Sequence, residues 1–218
     1  MLRTIAITLT CVIASPALAC DTALVLAVDV SGSISAAEYD LQMQGLADAL
    51  QDPEIIKALV QGQDALALVQ WSGDRFQQLS LPRQTLRSAA DVANLAAVAR
   101  TTDRPREYTD TTIGNAILFS LAQFATAPSC RRNVIDVSGD GKENDGMTLP
   151  AARASAEAAA VTINGVAIEI DGTTTDLTDY YRAFVMTPDG FVLTARGLQD
   201  YPRAIHEKLL RELTKAVS

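Results

Sequence analysis

Ala23-Leu24-Val25-Leu26-Ala27-Val28 is an unbroken apolar run near the start of the chain. A strand wetted on one face alternates apolar and polar residues. A run without alternation predicts a strand covered on both faces, as in a parallel sheet. After it, Tyr39, Met43, Leu46 and Leu50 recur at spacings of four, three and four, the stripe of an amphipathic helix. Asp52-Pro53 supplies the cap and first position of a short helix that follows. Ala65 to Trp71 is a second apolar strand, and Ser72-Gly73-Asp74 turns it into a short third one near Phe76–Leu79. Ser88 caps a helix to Ala99, and Ile113, Ile117, Leu121 and Phe124 mark another. Asn133 to Val137 is a fourth strand, broken by Ser138-Gly139-Asp140-Gly141. An Ala-rich helix over Leu149–Ala160, a fifth strand over Val161–Ile170, a short helix around Leu177–Phe184 and a last strand near Phe191–Leu193 complete the alternation. Ile205, Leu209 and Leu213 define the closing helix. Strands alternating with helices predict an α/β fold: a doubly wound, mostly parallel sheet with right-handed crossovers and helices on both faces.

The first nineteen residues change the picture of where the chain works. Arg3, an apolar stretch from Ile5 to Ala14 and the small-residue pattern Ala17-Leu18-Ala19 read as a secretory signal, residues 1–19, leaving a single domain over 20–218. The apolar stretch is too short for a permanent span and no later segment is longer, so no integral membrane segment is expected in the mature chain. Periplasm and extracellular space are both compatible with this signal. Lipid anchoring at Cys20 is the less favoured reading, because a lipoprotein signal prefers Leu where Ala17 stands. Removing the signal removes Cys11, and the remaining pair, Cys20 and Cys130, suggests one disulfide in an exported protein. A net charge of −8 with no run of Lys or Arg argues against nucleic acid as a partner.

Chemistry concentrates at the predicted strand ends. The first strand closes in Asp29-Val30-Ser31-Gly32-Ser33, where one carboxylate and two hydroxyls at alternate positions curl round a single point as Gly32 frees the backbone. The fourth strand closes in Asp140, followed by Gly141, and Thr109-Asp110-Thr111-Thr112-Ile113-Gly114 opens the helix before it. In doubly wound sheets ligands sit beyond the carboxyl ends of the strands, where the strand order reverses. A set of carboxylates and hydroxyls with no His or Cys nearby is a hard-oxygen site. It disfavours zinc and copper and suits Mg2+, with Mn2+ or Ca2+ as alternatives.

Asp29-Val30-Ser31-Gly32-Ser33 resembles the Asp-x-Ser-x-Ser of the metal-ion-dependent adhesion site in von Willebrand factor A domains. In that family a Thr stands five residues before the Ala/Gly-Leu/Ile pair of the third helix. Here the pair is Ala116-Ile117, which points to Thr111, with Thr112 as the alternative one position along. The family's Thr-Asp-Gly is matched by Gly139-Asp140-Gly141, so Asp140 inherits the acidic role, and the missing Thr hydroxyl is not a ligand there. Val69-Gln70-Trp71-Ser72-Gly73 is similar to a subgroup of secreted bacterial von Willebrand A-like proteins. The resemblance spans the mature chain and implies the strand order 3-2-1-4-5-6. It implies a divalent cation on Asp29, Ser31, Ser33, Thr111 and Asp140, its shell completed by an acidic group of a partner protein. It also places the first strand beside the fourth, and with them Cys20 and Cys130, each expected about three residues ahead of its strand, so it implies a Cys20–Cys130 bridge at the end of the sheet away from the metal.

Other features carry less. His206, the only histidine, is assigned a plain surface role, and Trp71 a packing role. Asp140 to Gly146 fails as an EF-hand, since its glycine falls one place late and no Glu closes it, leaving Asn144 and Asp145 as loop caps. Phosphate-binding glycine loops are absent. The function expected is a secreted, metal-dependent protein-binding module of adhesion type and not an enzyme. One alternative is a metal-assisted hydrolase in the same crevice, although Ser31 stands where such an enzyme wants its second acid. The other is a structural domain with a vestigial site.

Overall fold

The computed structural model describes residues 20–105, 110–146, 148–170, 173 and 176–214. The signal segment 1–19 and Thr109 of the third oxygen-rich segment lie outside the described residues. The chain runs β1 (Cys20–Asp29), α1 (Ala36–Leu50), α2 (Pro53–Gly62), β2 (Ala65–Trp71), β3 (Gln77–Thr85), α3 (Ala89–Arg100) and α4 (Ile113–Ala122) with a 3-10 turn to Thr126. It continues as β4 (Cys130–Gly139), α5 (Leu149–Ala158), β5 (Val161–Glu169), α6 (Leu177–Tyr180) with a π turn over Tyr181–Val185, β6 (Val192–Arg196) and α7 (Tyr201–Thr214).

The six strands form one sheet in the order β3-β2-β1-β4-β5-β6, parallel except for the β2/β3 pair, as the resemblance implied. Alternate residues of β1 explain its apolar run. Leu24, Leu26 and Val28 pack toward the helices that carry Met43, Leu59, Leu95 and Leu209, whereas Ala27 packs with Ile113, Ala152 and Leu177, and Val25 with Ala67 and Val69 under Phe119 and Phe124. Both faces are dry, so no polar alternation is possible. Local signals set the helix starts. Ser35 accepts from the Glu38 amide while Glu38 accepts from that of Ser35, a reciprocal cap. The Asp52 carboxylate accepts from the amides of Glu54 and Ile55, ahead of Pro53.

The structure departs from the pattern-based reading in a few places. β3 runs to Thr85, well past Leu79. It is a half-exposed edge strand containing Pro82, tolerated because an edge strand need not donate on both sides. The last strand is Val192–Arg196, displaced by a residue or more from Phe191–Leu193. Cys20 and Cys130 do not precede their strands but open them, directly opposite each other in register. They are disulfide-bonded with Cα atoms 4.5 Å apart. His206 is no plain surface residue: its Nε2 lies 3.1 Å from Asp52 Oδ2, tying α7 to the cap of α2. Two residues on, Lys208 is completely buried between Asp136 of β4 and Glu212 of α7. Among the described residues no helix is long and apolar enough to cross a membrane.

Candidate metal centre

The sheet order reverses at β1, which has β2 on one side and β4 on the other, so the crevice lies beyond the carboxyl ends of β1 and β4. Asp29 ends β1 there with its side chain fully buried, and its Oδ1 accepts from the Ser31 amide at 2.8 Å, which folds the loop back on the carboxylate. The fold brings the next two residues of the motif to the same point. Ser31 Oγ and Ser33 Oγ are 3.2 Å apart, and Ser33 Oγ donates to Asp140 Oδ1 at 2.7 Å. Four of the five predicted oxygen residues are therefore linked directly, although β1 and β4 are more than a hundred residues apart.

Thr111 arrives by another route. Its amide donates to Asn144 Oδ1 at 2.9 Å, and the Asn144 amide returns a bond to its carbonyl at 3.0 Å. That exchange lays it along the loop after β4, with its Oγ1 3.3 Å from where a Cβ on Gly141 would stand. Thr112, the alternative, caps α4 without a side-chain bond and is wholly buried. Its methyl lies 3.5 Å from where a Cβ on Gly146 would stand. Asn144 and Asp145 behave as loop caps, the latter accepting from the Gly146 amide at 2.9 Å. Trp71, register partner of Asp29 on β2, is buried in the apolar layer.

Residues that motif reasoning passed over hold this frame. Arg104 donates to the carbonyls of Val30 and Ser31 at 3.3 and 3.1 Å, bracing the β1 loop from outside. Glu143 serves two helices at once, accepting from the Gly114 amide at 2.7 Å and the Leu149 amide at 3.2 Å, the first turns of α4 and α5. Its place three residues after Asp140 was a usable signal, hidden by the comparison with a calcium loop. Beside this loop runs an apolar groove of about 810 Å3 between α5 and the α6 segment, lined by Leu149, Pro150, Tyr180 and Phe184 among others.

Electrostatics give the arrangement its chemical character. Burial, reinforced by the charge of Asp140, pushes the Asp29 carboxyl up to about 7, against bonds from Ser31 and the charge of Arg104. Burial likewise raises Asp140, against its bond from Ser33. The inner oxygens, Asp29 Oδ2 and Asp140 Oδ2, are shut off from solvent without a hydrogen-bond partner. Two buried carboxylates, each with one oxygen left uncompensated, are the kind of group a cation stabilises. The donor set thus fits a hard divalent ion: two acids plus hydroxyls. Among the described residues no three His, Cys, Asp or Glu side chains converge as a soft or all-acid site would need.

The family described as "Protein of unknown function (DUF1194)" matches residues 19–217. The chain belongs to that family. No curated protein matches its sequence. Solved structures match it in fold. The conserved hypothetical protein BatB from Bacteroides thetaiotaomicron is 15% identical, with a TM-score of 0.63 over 89% of this chain and 99% of that one. The mussel byssus proximal thread matrix protein 1, described with a zinc-occupied MIDAS motif, is 19% identical with a TM-score of 0.65, and the alignment spans 91% of this chain and 49% of that protein. A von Willebrand factor type A protein from Catenulispora acidiphila is 20% identical with a TM-score of 0.60, over 90% of this chain and 43% of that one. Identities this low establish the fold alone, and the fold of this DUF1194 member is that of von Willebrand A domains. A disulfide between its two described cysteines is consistent with export.

Proposed function

We propose that this protein is an exported, cation-dependent protein-binding module that performs no catalysis. Asp29, Ser31, Ser33, Thr111 and Asp140 would hold a divalent ion, Mg2+ by the hardness of the donors. One face of the ion would stay open to a carboxylate offered by a partner protein. The observation that carries this reading is the direct chain Ser31–Ser33–Asp140, closed by Asp29, with both acids keeping an inner oxygen unpaired. Bound there, the ion would supply a Lewis-acid contact for an acidic side chain. The exposed position of Ser33, beside buried Asp29 and Ser31, leaves that contact accessible from one side. The mussel relative described with a filled MIDAS shows that this fold can carry a divalent ion, and it lends support to the same use here.

Calorimetric titration with magnesium chloride tests the proposal, comparing wild type with Asp29→Ala. Wild type is expected to bind and the variant to lose most of the affinity. A pull-down from envelope extract, with and without chelator, should then recover a partner only when cation is present. Equal magnesium affinity in the two proteins would overturn the proposal.

A further inference from the structure

The sequence puts glycine at position 139, where the resemblance leads one to expect Thr, and the structure shows what occupies the room. A Cβ built on Gly139 would stand 2.9 Å from Asp29 Oδ2 and 2.9 Å from the Tyr181 hydroxyl. Neither atom has space to yield, since both residues are completely buried. Tyr181 begins the π turn after α6. Its ring reaches this point across a second glycine: a Cβ on Gly165 of β5 would come within 3.3 Å of Tyr181 Cδ1. Gly165 pairs with Val137 on β4, two residues before Gly139. Gly139 and Gly165 stand diagonally on adjacent strands, with Val137 and Ala167 at the other two corners, so the ring passes over Cβ-free backbone at both glycines and its hydroxyl meets the same bare point beside Gly139 as the inner oxygen of Asp29. That oxygen and that hydroxyl are both buried and unpartnered.

We infer that Tyr181 is the positioning residue of the metal centre. Its hydroxyl stands over the Cβ-free surface of Gly139 as an unpaired donor facing the same point as the inner oxygen of Asp29, not bonded to it, and would close that bond as the carboxylate takes up the cation. The inference rests on the cation-binding reading above and adds to it a residue outside the ligand set. The chemistry is that of a second layer around a metal: a donor behind a ligating carboxylate fixes its orientation and tunes its basicity, and losing such a donor typically weakens metal binding by about 10- to 100-fold. The glycine at 139 follows from the same geometry, because any side chain there would press the carboxylate and the phenol apart.

The test compares wild type, Tyr181→Phe, Gly139→Ala and Asp29→Ala. Magnesium affinity is measured by calorimetry, cation-free stability by thermal melting, and the Tyr181 ring by NMR with 13Cζ-labelled tyrosine, its resonance identified by its loss in Tyr181→Phe. Tyr181→Phe should melt close to wild type without cation yet bind magnesium at least about tenfold more weakly. The Tyr181 resonance should move when magnesium is added to wild type and stay fixed in Asp29→Ala. Gly139→Ala should weaken binding too, which keeps the test open if Tyr181→Phe fails to fold. Wild-type affinity in Tyr181→Phe, or a changed melting temperature with affinity untouched, would reduce the residue to packing and overturn this inference alone. A wild-type protein that binds no magnesium would overturn the cation reading and this inference with it.

Discussion

Replacing Lys208 with Met tests how the core tolerates charge. Lys208 is on α7, wholly buried, and its ammonium contacts the Asp136 carboxylate of β4 and Glu212 Oε2, the latter at 2.6 Å. Glu212 is held again by Asn164 Nδ2 at 2.7 Å. Two buried acids thus share one buried cation. Burial pushes the Asp136 carboxyl up to about 7, opposed by Lys208 and aided by the charge of Glu212. Methionine fills much the same space without charge, so Lys208→Met removes the cation with little loss of packing and strands the acids. Removing one partner of a buried pair costs about 3–5 kcal/mol, which for a chain of this size lowers the melting temperature by roughly 6–20 °C.

The pH dependence supplies the sign. A carboxyl whose folded value lies above its ordinary 3.8 holds its proton more tightly in the folded state. Its contribution is full at pH below about 4 and is lost as pH rises through about 7. In Lys208→Met the opposing ammonium is gone, so Asp136 keeps its proton to higher pH and the loss extends further upward. The destabilisation should therefore be larger at pH 8 than at pH 5.5 in urea unfolding. Adding Glu212→Gln, which preserves an acceptor for Asn164 while removing one stranded charge, should recover part of the stability. Equal destabilisation at both pH values, with no recovery in the double variant, would refute the electrostatic account.

Two other outcomes follow from the same structure. Magnesium must displace the proton of Asp29, raised to about 7 by burial and by Asp140, so affinity should climb about tenfold from pH 6 to pH 8, with proton release read from calorimetry in buffers of different ionisation heat; a flat profile would show that Asp29 is not the titrating ligand. The double variant Cys20→Ser, Cys130→Ser, which opens a closure of 110 residues, should lose about 5 kcal/mol of stability in urea while its magnesium affinity stays within a factor of two or so.

The fold was legible because its strands are dry on both faces. Ala23–Val28 and Ala65–Trp71 could not be read otherwise, and the Asp-x-Ser-x-Ser end of β1 announced the site. What escaped had physical reasons. β3 shows no clean alternation because an edge strand is half wet on both faces, and Pro82 argued against it. Lys208 and Glu212 sit one turn apart on α7, the spacing of an ordinary solvated pair, and nothing local betrays that Asp136 faces them from β4. Tyr181 could not be assigned from sequence at all. Its role depends on Gly139 and Gly165 standing diagonally on adjacent strands, two register positions apart, and only strand register reveals that placement.

Register also explains why the centre stands where it does. Every β1/β4 pair, from Cys20↔Cys130 through Val28↔Ser138, keeps one constant offset, so the disulfide at one end and the oxygen cluster at the other share a single alignment. Continued by one residue, that alignment sets Asp29 opposite Gly139 and leaves Asp140 just beyond, where Ser33 reaches it. A slip of one residue would turn Asp29 to the other face and separate it from Tyr181. The covalent link and the apolar ladder between the two ends both oppose that slip. The bridge adds to the stability of an alignment that the dry faces of β1 and β4 already impose. Cutting it should therefore cost folding free energy and leave the cation site nearly unchanged.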